Sequence, residues 1–93
     1  MHIQLTLIGK PGCHLCEDAQ SVVESVVAEF RGAHTGVAAS VQVGLDHQNI
    51  LEDEELAKRY AEEIPVLLIN GKVHNYWRID PIRFRAALDS FVD

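Results

Sequence analysis

Cys13 and Cys16 are the two cysteines of this 93-residue chain, and they stand three positions apart. On a helix that spacing puts both on one face, within reach of a disulfide. Pro11 and Gly12 directly precede them, so the pair falls at a helix start. There, free backbone N–H groups and the helix dipole favour an anion on the first sulfur. The thiolate is the nucleophile. Cys13 is therefore the expected attacking sulfur, and Cys16, one turn deeper and more shielded, the expected resolving one. A lower thiol pKa raises the thiolate fraction but weakens each thiolate, with a Brønsted slope of about 0.4–0.5. The two effects nearly offset. The larger consequence of the helix terminus falls on leaving-group ability and redox poise.

Two other readings of the pair are a zinc half-site and inert packing. Zinc takes four Cys or His ligands. His14 lies between the cysteines, while His2, His34, His47 and His74 are spread over separate segments. His14, if protonated, favours the neighbouring thiolate; it reads equally as a solvated residue of the helix start. Lys10, three residues before Cys13, is either a cation beside the thiolate or an anionic substrate, or a solvated loop lysine.

The elements that must position these residues follow from periodicity. Ile3, Leu5 and Leu7 alternate with Gln4 and Thr6, and Ile8 extends the run into a first strand. A helix is expected over about residues 13–30, with Leu15, Ala19, Val22, Val26 and Phe30 as one stripe widened by Val23 and Val27. Gly32 and Gly36 mark its end. A second strand lies within about residues 37–45, alternating at Val41, Val43 and Leu45, and Asp46 to Asn49 reads as polar loop. A second helix covers about residues 53–62, with Leu56, Tyr60 and Ala61 inward. Pro65 cannot continue it, and read locally it is a trans proline that stops the helix. Val66-Leu67-Leu68-Ile69 is a buried strand, and Asn70-Gly71 signals a hairpin to a fourth strand over about residues 72–77. Of Tyr76 and Trp77, on opposite faces, one is expected in the core and the other at a substrate surface. Asp80-Pro81 caps a last helix that carries Phe84, Ala87, Leu88 and Phe91 inward.

The order is β-α-β-α-β-β-α in a single domain over residues 1–93. The helix between the first two strands makes them parallel with a right-handed crossover, and the hairpin makes the last two antiparallel. The expected fold class is α/β: a four-stranded mixed sheet flanked by helices. An apolar fraction of 47% with 24% charged residues suits a folded chain. No apolar run approaches the roughly 18 residues of a membrane span. Eight Lys and Arg against fourteen Asp and Glu, a formal charge of −6, make nucleic acid and anionic membranes poor partners. The N-terminal stretch lacks a basic region and a cleavage site and reads as a strand. The expected compartment is the cytoplasm, where thiols stay reduced.

A strand, a Pro-Gly turn, CxxC and a helix form a thioredoxin-like redox motif. With Lys10-Pro11-Gly12-Cys13-His14-Leu15-Cys16, Leu45-Asp46, Ile64-Pro65-Val66 and Ile69-Asn70-Gly71-Lys72, nearly the whole chain resembles the glutaredoxin-like branch of the thioredoxin superfamily, and within it a small bacterial group with Cys-His-Leu-Cys sites. The resemblance implies a strand order two-one-three-four. It also implies a cis Pro65 facing the cysteines, and backbone at Ile64 that pairs with an extended thiol substrate. It implies a thiol–disulfide oxidoreductase, a monomer with no tightly bound cofactor. Its partner is a disulfide-containing protein, with glutathione as a possible co-substrate. The residues from 72 to 80 hold no Gly-Gly-x-Asp run of the kind that grips glutathione in many glutaredoxins, which makes protein disulfides the better expected substrates. The competing function is a non-enzymatic thioredoxin-like adaptor, or a carrier of zinc or an iron–sulfur cluster, which would need further ligands from a dimer or glutathione.

Overall fold

The computed structural model describes residues 2–33 and 42–92. Its elements run β1 (His2–Gly9), α1 (His14–Ala33), β2 (Gln42–Asn49), a 3₁₀ turn (Ile50–Glu52), α2 (Glu54–Tyr60), β3 (Val66–Ile69), β4 (Lys72–Tyr76) and α3 (Pro81–Asp89). The sheet order is β2-β1-β3-β4, with β1 parallel to β2 and β3 antiparallel to both β1 and β4. This is the mixed α/β architecture expected from the sequence.

β1 is interior because its side chains leave it no other place. Ile3, Leu5 and Ile8 are fully buried and Leu7 nearly so, each worth about 1.5–3 kcal/mol against exposure. α1 meets one face of this strand with Ala19, Val23, Val26, Val27 and Phe30, and α3 adds Phe84 and Leu88. A second, smaller cluster of Ile8, Ile50, Ile64 and Val66 lies at the C-terminal end of β1. Among the described residues no polar or charged residue is buried outright. Each short helix is stopped from fraying at its start by an acidic cap. Asp53 Oδ1 accepts from the Glu55 and Leu56 N–H groups, and Asp80 Oδ1 from those of Ile82 and Arg83.

The hairpin forms as its Asn-Gly signal requires, with Asn70 at φ 51° and Gly71 at φ 83°. Asn70 also reaches across to β1: its N–H donates to Gln4 O and its side-chain oxygen accepts from Gln4 N–H.

Several boundaries differ from expectation. β2 continues through Asp46–Asn49, the stretch read as polar loop, because all eight residues of β1 pair with it through Gly9↔Asn49. As an edge strand β2 exposes Asp46, His47 and Gln48 to solvent without penalty. Residues 37–41, with Val41, and Gly36 lie outside the described residues. Gly32 falls inside α1, which runs to Ala33. α2 is shorter than expected, and Ala61 is exposed beyond its end while Ala57 takes an inward place. Neither Tyr76 nor Trp77 joins the core: they are 38% and 54% exposed. A bulge in the β3–β4 pairing between Leu67 and Leu68 shifts the register, and Trp77 leaves the strand with φ 59°.

His74 Nε2 is buried without a hydrogen-bond partner, and its ring lies 6.0 Å from that of Phe84. Burial, aided by the Arg83 charge and opposed by Asp80, lowers its pKa below the ordinary 6.5. The unfolded chain therefore binds this proton more readily. Stability is present above pH about 6.5 and declines as pH falls below it toward the lower folded value. Urea titrations of the wild-type protein and His74→Leu between pH 7 and 5 are expected to show a steeper loss on acidification in the wild type. Parallel curves would remove His74 as the cause.

Candidate functional site

The turn from β1 into α1 builds the site. Gly12 at φ 76°, a conformation costly to other residues, turns the chain so that Cys13 stands immediately before the first helical residue. Cys13 O accepts from Glu17 N–H at 3.0 Å, closing the first helical turn. Cys13 Sγ accepts from Cys16 N–H at 3.2 Å, so the sulfur takes the place a Ser or Asp oxygen holds at other helix starts. The two Cα atoms are 5.2 Å apart and the sulfurs are joined in a disulfide, within the usual span of such a bridge. Both cysteines are half-buried and pack against the cluster of Ile8, Ile50, Ile64 and Val66.

Ile64 and Val66 flank Pro65, and the Ile64–Pro65 bond is cis, as the resemblance implies and the plainer local reading does not. All three are buried. Trp77 holds this corner by two hydrogen bonds, its N–H to Pro65 O at 2.7 Å and its indole Nε1–H to Glu62 O at 3.2 Å. Its left-handed backbone costs an ordinary residue about 1–2 kcal/mol, offset here by those bonds.

Lys10 is exposed at the mouth of an open groove of about 730 Å³ that reaches Cys16. Glu17, His47, Glu52 and Asp53 line the same groove. His14 projects into solvent, its Nδ1 3.7 Å from Glu17 Oε2, with the two side chains 96% and 68% exposed. Such an exposed contact is worth little. Thus Cys13, Cys16 and Ile64 meet in one packed cluster, and Pro65 is buried beside Ile64 in the chain. Lys10 joins the groove, and His14 stands outside it. Among the described residues no group of three or more His, Cys, Asp or Glu is placed to hold a metal ion, and no helix is long and apolar enough to cross a membrane. Sequence reasoning missed the groove's far wall, His47 and Glu52. It also missed the close approach of Gly9 to Cys16. The far wall is some thirty residues away along the chain and carries no motif. It comes into place only because the parallel β1–β2 pairing continues to Asn49.

This fold and this pair define a thioredoxin-fold protein with a CxxC site. The glutaredoxin-like domain family (DUF836) matches residues 4–89, and the chain belongs to that family. It is 27% identical to a protein from X. campestris of known structure, with a TM-score of 0.68 over 92% of this chain and 96% of that one. An uncharacterised protein of Mycobacterium tuberculosis is 26% identical over 91% of this chain and 81% of its own length. A mutant thioredoxin from Halobacterium salinarum shares the fold, at 17% identity and a TM-score of 0.61 over 98% of this chain and 75% of that chain.

The cap geometry carries a prediction. Negative charge on Cys13 Sγ is favoured by the Cys16 N–H, which Cys16→Ser retains. The alkylation rate of Cys13 in that variant should fall by less than about tenfold from pH 8 to pH 6, whereas a free thiol's falls roughly 75-fold. A profile that follows free cysteine would show that the helix start does not favour the thiolate.

Proposed function

We propose that this protein is a thiol–disulfide oxidoreductase that reduces or exchanges disulfides of other proteins. The observation that carries the reading is the Cys13–Cys16 pair at the start of α1, with Cys13 Sγ accepting the Cys16 N–H. The Cys13 thiolate attacks a substrate disulfide, whose S–S bond breaks as the mixed disulfide forms and one substrate sulfur leaves as a thiolate. Cys16 then attacks Cys13, closing the pair and releasing the substrate thiol. A helix start that favours charge on Cys13 also makes it a better leaving group when Cys16 attacks. Backbone at Ile64, beside Pro65, pairs with the extended substrate segment. The protein works as a monomer in the cytoplasm and needs no tightly bound cofactor.

Protein disulfides are the preferred substrates and glutathione a poor one. The groove beside Cys16 sets three carboxylates, Glu17, Glu52 and Asp53, against the one ammonium of Lys10. Such a wall disfavours a small ligand with two carboxylates. A single exposed lysine offsets at most about 1 kcal/mol of that.

Two measurements check this. In a non-reducing gel, Cys16→Ser should accumulate mixed disulfides with partner proteins while Cys13→Ser accumulates none; equal trapping by both would contradict the assigned roles. At equal concentration, a reducible protein disulfide should be turned over faster than a glutathione mixed disulfide. A tenfold preference for the glutathione substrate, about 1.4 kcal/mol, would show that other residues build a glutathione site.

A further inference from the structure

The end of β1 runs hard against the resolving cysteine. A Cβ placed on Gly9 would stand 2.9 Å from Cys16 Sγ and 3.2 Å from Cys16 Cβ. Gly9 is not one of the glycines with positive φ, so the close approach alone requires it. We propose that Gly9 is a positioning residue for the resolving sulfur: by carrying no side chain it leaves Cys16 Sγ the place from which it closes onto Cys13. This rests on the oxidoreductase reading and specifies which backbone contact sets the poise of the pair.

The two redox forms respond differently to a methyl group at this position. As a thiol, Cys16 turns about its Cα–Cβ bond among staggered positions. Bonded to Cys13 it loses that freedom, because Cys13 is itself held at the helix start by its carbonyl and by the Cys16 N–H. Added bulk on residue 9 therefore opposes the disulfide more than the dithiol. In the resolving step, Cys16 gives its proton to solvent and its thiolate attacks Cys13 Sγ. The Cys13–Cys16 bond forms as the bond from Cys13 to the substrate sulfur breaks, and the substrate leaves as a thiolate that takes a proton from water. Over the full exchange the pair loses two electrons and the substrate disulfide gains them. A side chain at residue 9 obstructs this step and leaves the earlier attack by Cys13 alone.

The test compares the wild-type protein, Gly9→Ala and Gly44→Ala. Gly44→Ala is the control: its Cβ would meet Gln4 Oε1 at 2.8 Å and His2 Cε1 at 3.2 Å, ends of side chains that can turn aside, in the same sheet and away from the cysteines. Gly9→Ala is expected to lower the equilibrium constant for disulfide closure at least about tenfold, a shift of ~30 mV toward a more oxidising couple. It is expected to slow mixed-disulfide resolution by a similar factor. First attack, measured in the Cys16→Ser background with and without Gly9→Ala, should be unchanged. Unaltered potential and resolution in Gly9→Ala overturn the inference, as does an equal shift in Gly44→Ala. If Gly9→Ala does not fold, Gly9→Ala/Cys16→Ala decides. With the sulfur gone, folding like Cys16→Ala supports the contact, and failure to fold overturns it. If the wild-type protein closes no disulfide and forms no mixed one, the oxidoreductase reading itself falls, a result distinct from a normal wild type with an indifferent Gly9→Ala.

Discussion

The hydrogen bond from Cys16 N–H to Cys13 Sγ joins the chemistry of this protein to its helix geometry. A helix start has backbone donors with no partner inside the helix. Most proteins satisfy one of them with an oxygen; here a sulfur does so. The atom that accepts from this free donor is the atom that carries charge in the proposed reaction. It follows that α1 must begin at this residue. A start one turn earlier would bury the Cys16 N–H in an ordinary helical bond and leave Cys13 Sγ without a donor. Gly12, with its positive φ, and the Pro11-Gly12 turn after β1 serve that placement.

The division of the core into two clusters follows from the same demand. The larger one spans β1, the body of α1, β3 and α3, and it holds the greater part of the buried apolar surface. The smaller one is built from the paired Ile8 of β1 and Val66 of β3, Ile50, Ile64, and the half-buried cysteines and residues of α2. Changes at the sulfurs are therefore felt by a few residues at one end of the sheet. Phe30, Phe84 and Leu88, fully or almost fully buried in the larger cluster, anchor the body of α1. Arg31 adds to that anchorage by donating to Val43 O at 2.6 Å, tying the far end of α1 to the edge strand.

The alternation of Ile3, Leu5 and Leu7, the α1 stripe, the Asn70-Gly71 hairpin and the Asp80 cap were all legible in the sequence. Each is a local rule, and in each case the tertiary environment agrees with it. The Cys13–Cys16 pair was legible for the same reason, since its spacing and its Pro-Gly prelude are adjacent in the chain. Local rules failed where pairing overrode composition. Asp46 to Asn49 have the residues of a loop, yet they complete a ladder with β1 because an edge strand tolerates polar side chains. The cis bond before Pro65 was not decided by its neighbours and came from the family resemblance. The expectation that one of Tyr76 and Trp77 is core failed because β4 ends at Tyr76 and Trp77 leaves the strand with a positive φ, so the alternation of faces stops there.

The edge position of β2 also bears on selectivity. Because β2 is polar at its C-terminal end and the 3₁₀ turn and α2 follow with acidic starts, the far wall of the groove is acidic by construction: Asp53 is needed as the α2 cap, and Glu52 closes the turn before it. Trp77, 54% exposed, has both its N–H groups engaged, by Pro65 O and Glu62 O. A ligand that binds chiefly through its own carboxylates meets repulsion from that acidic wall. An extended polypeptide has no such dependence, because its contacts are main-chain and apolar. In the proposed function, Asp53, the cap of α2, also disfavours a small carboxylate-bearing substrate, so that helix stability and substrate choice share this residue.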